Sequence, residues 1–188
     1  IAWDMGIGAV ARRVSDLLDA PAAIAGYSRL VIDLNRAPGI ASSIVEESDR
    51  VRIPGNIGLS DADRSAREDA IFHPYHDAIG AMLDARIGAG RPTALVCLHS
   101  FTPVMDDVVR PWHIGILWNG RDGALPLPLI ESLRADPDLC VGDNEPYDGR
   151  GDVGFTMQRH ADPRGIQNVL SESRQDLIET ASGKRNGA

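Results

Sequence analysis

The sequence predicts an α/β fold, with a mostly parallel or mixed central sheet and helices on both faces. Three observations carry this expectation. Aliphatic, β-branched segments alternate with amphipathic segments along the chain, the pattern of a largely parallel sheet. Two apolar runs, 30–32 and 93–98, read as buried strands and pass directly into polar side chains. The chain has 188 residues, 43% hydrophobic and 24% charged, an ordinary globular composition with material for one substantial core. Residues 1–188 are read as a single domain. The chain opens at Ile1-Ala2-Trp3-Asp4 with no initiator Met, and an N-terminal strand segment is expected to be missing from it.

Residues 5–18 read as the first helix. Ile7, Val10, Val14, Leu17 and Leu18 share one face, with Arg12, Arg13 and Asp16 opposite. Asp4 stands just before it as a candidate N-cap, and Pro21 ends it. Residues 22–25 and 29–34 read as strands. The stretch 37–58, rich in Pro, Gly, Ser and charge, reads as a long loop, and such loops are usually functional or disordered. Ser60-Asp61-Ala62-Asp63 resembles a capping box and starts a second helix. Pro74 is expected to kink or restart that helix, and Gly88 and Gly90 to end it. Residues 93–98 give the strongest strand signal, and 113–118 give another. A helix with prolines in its first turn follows at 125–135, then a short strand at 139–141 and an acidic, Gly-rich loop at 143–154. A final strand at 168–171 leads to a helix from about Gln175, and 182–188 read as frayed.

The net charge of −8 and the pI near 5.0 argue against nucleic acid or an anionic membrane as the main partner, because both need a basic patch. Lys184 is the one lysine, which rules out Schiff-base chemistry elsewhere. Cys97 and Cys140 lie in apolar runs and read as buried free thiols. No run reaches the roughly 18 consecutive apolar residues of a membrane span, and there is no signal peptide, so a cytoplasmic location is expected. No P-loop, Gly-x-Gly-x-x-Gly fingerprint, Cys-x-x-Cys pair or EF-hand loop is present, which weakens nucleotide-dependent readings.

The polar residues at the apolar run ends are the candidates for chemistry. Asp33, Asn35 and Arg36 follow the run 30–32. Arg36 can bind a carboxylate through two parallel N–H bonds, Asn35 can add a neutral donor, and Asp33 can hold the Arg or a loop in place. The alternative is a strand end stapled by a surface salt bridge. His99 follows the run 93–98 and reads either as a ligand or catalytic group or as a structural histidine. Ser100 lacks a nucleophile elbow. Glu172 ends the last strand and reads either as a general base on an activated water or as an ion-pair partner of Arg174 or a helix cap. His73 and His76 flank Pro74 and read as structural. His113 and His160 can border a pocket. Asp4 is a cap or, with His99, a candidate metal ligand.

Five segments in order resemble the N-formylglutamate amidohydrolase family: Tyr27-Ser28-Arg29-Leu30-Val31-Ile32-Asp33-Leu34-Asn35-Arg36, Ile53-Pro54-Gly55-Asn56, Pro74-Tyr75-His76, Leu98-His99-Ser100-Phe101-Thr102-Pro103, and Val169-Leu170-Ser171-Glu172-Ser173-Arg174-Gln175-Asp176-Leu177-Ile178. The family is similar in fold to zinc-dependent exopeptidases and aspartoacylases. The resemblance implies a hydrolase-type domain that cleaves the amide of an N-acyl acidic amino acid, N-formyl-L-glutamate giving formate and glutamate, as part of amino-acid catabolism. It implies one bound zinc ion, with His99 and Asp4 as metal ligands and a further His-containing motif upstream of Ile1. It implies Glu172 as the acid/base carboxylate, and Asn35, Arg36 and Arg159 as contacts for the substrate. Two other readings stay open: a related metallo-hydrolase of other N-acyl amino acids or peptides, and a non-catalytic relative that binds a carboxylate ligand.

Overall fold

The computed structural model describes residues 2–151 and 153–179. The expected frayed end at 182–188 and Lys184 lie outside the described residues. The helices are α1 (Ile7–Leu18), α2 (Asp61–Arg67), α3 (His73–Gly88), α4 (Pro126–Arg134), α5 (Phe155–His160) and α6 (Gln175–Ile178). The strands are β1 (Glu47–Ser48), β2 (Val51–Arg52), β3 (Ala94–Phe101), β4 (Val104–Met105), β5 (Val108–Val109), β6 (Ile114–Leu117), β7 (Val141–Asp143) and β8 (Gln167–Arg174). The chain packs as two compact units, Ile1–Trp3 with Ala23–Thr93, and Asp4–Ala22 with Ala94–Ala188, where the sequence reading has one domain over 1–188. No helix among the described residues is long and apolar enough to cross a membrane.

The second unit holds a mixed four-stranded sheet in the order β3-β8-β6-β7. β3 runs parallel to β8, β8 antiparallel to β6, and β6 parallel to β7. Helices cover both faces. Cys97, Leu117 and Leu170 face Met157 of α5, while Ile116 and Val169 face Ile130 of α4. Ile116, Leu117, Val169 and Leu170 are fully buried. Each such side chain contributes about 1.5–3 kcal/mol of hydrophobic stabilisation. The apolar run of β8 follows from this two-sided burial; β3, at the edge of the sheet, buries Cys97 on the α5 side and leaves Val96 42% exposed on the other.

The first unit is built differently. Its β1-β2 pair is a short antiparallel hairpin inside the expected loop 37–58. Ser60 caps α2 in a complete capping box with Asp63, as the spacing predicts. The Ser60 contacts hold the Asp63 carboxyl below its usual range. A π-helical turn, Glu68–Phe72, joins α2 to α3 just ahead of Pro74.

Several expectations are corrected. Residues 22–25 and 29–34 form no strand; the second of these is a run of turns whose carbonyls are bonded by side chains. Asp4 does not cap α1, whose N-cap is Gly6 at φ 77°. The last strand runs through Arg174 rather than stopping at 171. Helix α5 and the hairpin of β4 and β5 were not expected at all.

Cys97 is buried and Cys140 exposed, so only the first matches the reading of two buried thiols. Burial pushes the Cys97 thiol up to about 12. The native protein is therefore expected to titrate one thiol with an aromatic disulfide reagent and a second only in denaturant. Two thiols reacting natively would contradict this burial.

Candidate active site

The sheet of the second unit turns from core to site within one step of its pleat. Across β3, β8 and β6, Cys97 pairs with Leu170 and Leu170 with Leu117. Two residues along, on the same face, His99 pairs with Glu172 and Glu172 with Gly115. An apolar row thus gives way to an imidazole, a carboxylate and a glycine. His99 and Glu172 lie in the carboxyl-terminal halves of two parallel strands, the side on which α/β sheets bind ligands. Glu172 is buried, at 7% exposure. It sits inside β8 rather than at its end, and Arg174 pairs instead with Asp176 at 2.8 Å.

Asp4 reaches this row from the segment before α1. Its Oδ2 lies 2.7 Å from His99 Nδ1 and 3.5 Å from the Ser100 amide. The Ser100 hydroxyl donates to Met5 O at 3.0 Å, so Ser100 holds the chain before α1 in place. Gly6 explains how that segment comes so close. Its φ of 77° is in the left-handed region, and a Cβ there would meet the Ile178 backbone at 2.9 Å. Only glycine lets the chain pass α6 at this distance and deliver Asp4 to His99.

Gly115 has a related role that the sequence reading missed. A Cβ on it would lie 1.8 Å from Glu145 O, so the 143–149 loop crosses the sheet directly beside Glu172. Asn144 pins this loop: its N–H donates to Ile116 O at 2.9 Å, and its Oδ1 accepts from Trp118 N and Gly149 N at 2.9 and 3.1 Å. A glycine inside a strand pattern marks such a close backbone approach, and that was the available signal. Gly115→Ala must push the loop off the sheet. The variant is expected to lose about 1–3 kcal/mol of stability, read from thermal or denaturant unfolding, as overpacking does; a variant as stable as the parent would contradict the approach.

Asn35 and Arg36 belong to the first unit. Asp33 is the hub there. Its Oδ2 accepts from Arg29 Nη2 at 2.6 Å, its Oδ1 accepts from Asn35 N at 2.9 Å, and its carbonyl accepts from Arg36 N at 3.2 Å. Asp33 therefore holds the loop and pairs Arg29, not Arg36. Arg36 is partly buried, and among the described residues its guanidinium makes no ion pair or side-chain hydrogen bond.

The remaining histidines and Arg159 are placed as follows. His73 is half exposed, 3.9 Å from Asp69. His76 is buried and bonded to Leu34 O at 2.9 Å. His113 ties the start of β6 to Cys140 through both backbone and ring. His160 is buried at the end of α5, and Arg159 beside it is exposed.

His99 and Asp4 are zinc-type donors, an imidazole and a carboxylate. They fit zinc in kind and fall short in number. A catalytic zinc takes three protein ligands, and no group of three or more His, Cys, Asp or Glu is gathered for a metal among the described residues.

A family model described as N-formylglutamate amidohydrolase matches residues 1–179. The chain is 38% identical to a gene product of Agrobacterium tumefaciens of known crystal structure, with a TM-score of 0.85, over 95% of this chain and 70% of that one. It is 20% identical to an N-formylglutamate amidohydrolase from Ralstonia eutropha, with a TM-score of 0.59, over 79% of this chain and 62% of that one, a likeness of fold. No curated protein matches the chain.

Proposed function

Since the chain belongs to the N-formylglutamate amidohydrolase family, a family of hydrolases, we propose that it hydrolyses the amide bond of N-formyl-L-glutamate to formate and glutamate. The observation that carries this reading is the register of Glu172 beside His99, with Asp4 at 2.7 Å from the imidazole.

Hydrolysis of an amide needs a deprotonated water and a proton for the leaving nitrogen. Glu172 is a carboxylate held on a strand, enclosed by β3 and β6 and by the loop over Gly115, so little rotamer freedom is lost when it acts. It takes the proton of the attacking water and passes it to the amine as the C–N bond breaks. His99 and Asp4 would supply two of the three protein ligands that a catalytic zinc takes, an ion which when bound lowers the pKa of its water to about 7 and polarises a carbonyl. Arg36 and Asn35 would bind the substrate carboxylate, Arg36 through two parallel N–H bonds; Arg159 is the further candidate contact. The proposed substrate is small and acidic.

The test is an assay of purified, zinc-supplemented protein. N-formyl-L-glutamate is expected to give formate and glutamate in equal amounts, and the zinc content of a His99→Ala variant is expected to fall. No formate above the uncatalysed level would overturn the reading. Substrate profiling separates it from a related hydrolase of other N-acyl amino acids.

A further inference from the structure

The segment that carries Asn35 and Arg36 has the composition of a strand and none of its pairing. Three of its carbonyls are bonded instead by side chains from later in the chain. Leu30 O accepts from Asn56 Nδ2 at 2.8 Å, Val31 O from Arg67 Nη1 at 2.8 Å, and Leu34 O from His76 Nε2 at 2.9 Å. Arg67 also donates to Asn56 Oδ1 at 2.8 Å and Gly55 O at 2.9 Å, so Asn56 and Arg67 act as one brace.

The contact of His76 differs from the other two in where it falls. Leu34 O and Asn35 N belong to the same planar peptide group. His76 bonds its carbonyl, and Asp33 Oδ1 bonds its N–H at 2.9 Å. One rigid plane is thus gripped at both ends, directly before the two side chains assigned to the substrate. A carbonyl only accepts, so this contact also fixes hydrogen on Nε2. The ring is 1% exposed and packs on Phe72, with centroids 4.3 Å apart.

The π turn makes the arrangement reachable. Arg67 and His76 are nine positions apart, which in a regular α-helix is about two and a half turns and places them on opposite faces. The turn Glu68–Phe72 winds more residues per turn, with His73 N bonded to Glu68 O, and rotates His76 back towards the side of Arg67. Both then address the segment 31–34.

We propose that His76 is a positioning residue for the substrate-carboxylate clamp: it locks the Leu34–Asn35 peptide plane from which Asn35 and Arg36 project. This rests on the reading of Arg36 as that clamp. A merely structural histidine would affect stability and both kinetic constants alike. A positioning one affects binding of the acidic substrate alone.

The experiment compares KM and kcat for N-formyl-L-glutamate and neutral N-formyl-L-glutamine in the zinc-supplemented full chain. His76→Phe keeps a ring and removes the donor. It is expected to raise KM for the acidic substrate about tenfold, leave kcat within about threefold, and leave the neutral substrate unaffected. His76→Gln, whose amide can reach Leu34 O, is expected to restore KM to within about threefold of the parent. If His76→Phe does not fold, His76→Gln against the shorter His76→Asn decides the matter, with only the first expected to keep the parent KM. Arg36→Ala is run beside them. A raised KM in Arg36→Ala with an unchanged one in His76→Phe overturns the positioning role alone, as does an equal loss on both substrates. An unchanged KM in Arg36→Ala removes the clamp itself, and this proposal with it.

Discussion

Glu172→Gln is expected to lower kcat by about 10³-fold or more while leaving the fold intact, the range general acid–base groups supply. The amide is nearly isosteric with the carboxylate, so β8 keeps its pairing with β3 and β6. The neutral amide has no basic oxygen with which to take a proton from water. It equally has none to return to the leaving amine, so both halves of the proposed proton path fail together. KM is expected to stay within a few fold of the parent, and circular dichroism and unfolding midpoint to stay close to it. Zinc content is expected to be near normal, because Glu172 is not among the proposed ligands. Turnover within tenfold of the parent would exclude Glu172 as the base.

Arg36→Ala is expected to act on the other constant. KM for N-formyl-L-glutamate should rise about 10²-fold, with kcat changed little, because the interaction lost binds ground state and transition state alike. The guanidinium has no protein carboxylate to satisfy it among the described residues, so its removal leaves no acid stranded and the unfolding midpoint should hold. The preference for the acidic over the neutral substrate should collapse, since a site built to pair a charge rejects an analogue that leaves it unpaired. An unchanged preference would remove Arg36 from the site.

Much of the candidate row of His99 and Glu172 was legible because its signals are local. The run 93–98 reads as a strand and forms one, though Val96 on it is exposed at the sheet edge, and His99 directly continues it. The capping box at Ser60 and Asp63 is read from four residues and needs nothing distant. What failed was set by distant partners. The run 29–34 has a strand's residues, yet its carbonyls are taken by Asn56, Arg67 and His76, none of which its own sequence announces. Ser173 and Arg174 lie past the expected end of the last strand, but β3 pairs with both and β6 with Ser173, so Glu172 falls inside the strand. Asp4 has a cap's place in the sequence, but Gly6 takes that position in the chain and Asp4 is drawn to His99. The apolar neighbours of Cys140 suggested burial, but the residue lies at the exposed approach to β7. Gly115 was the readable omission, a lone glycine in an otherwise aliphatic strand.

The proposed function has two parts, cleavage of an N-acyl amide and selection of the substrate by its carboxylate. The ratio of kcat/KM for N-formyl-L-glutamate to that for N-formyl-L-glutamine, measured on the zinc-supplemented parent protein by formate release, tests both parts at once. Formate from the acidic substrate and a ratio of about 10² or more are expected. A ratio near one, or no formate from either compound, would contradict it.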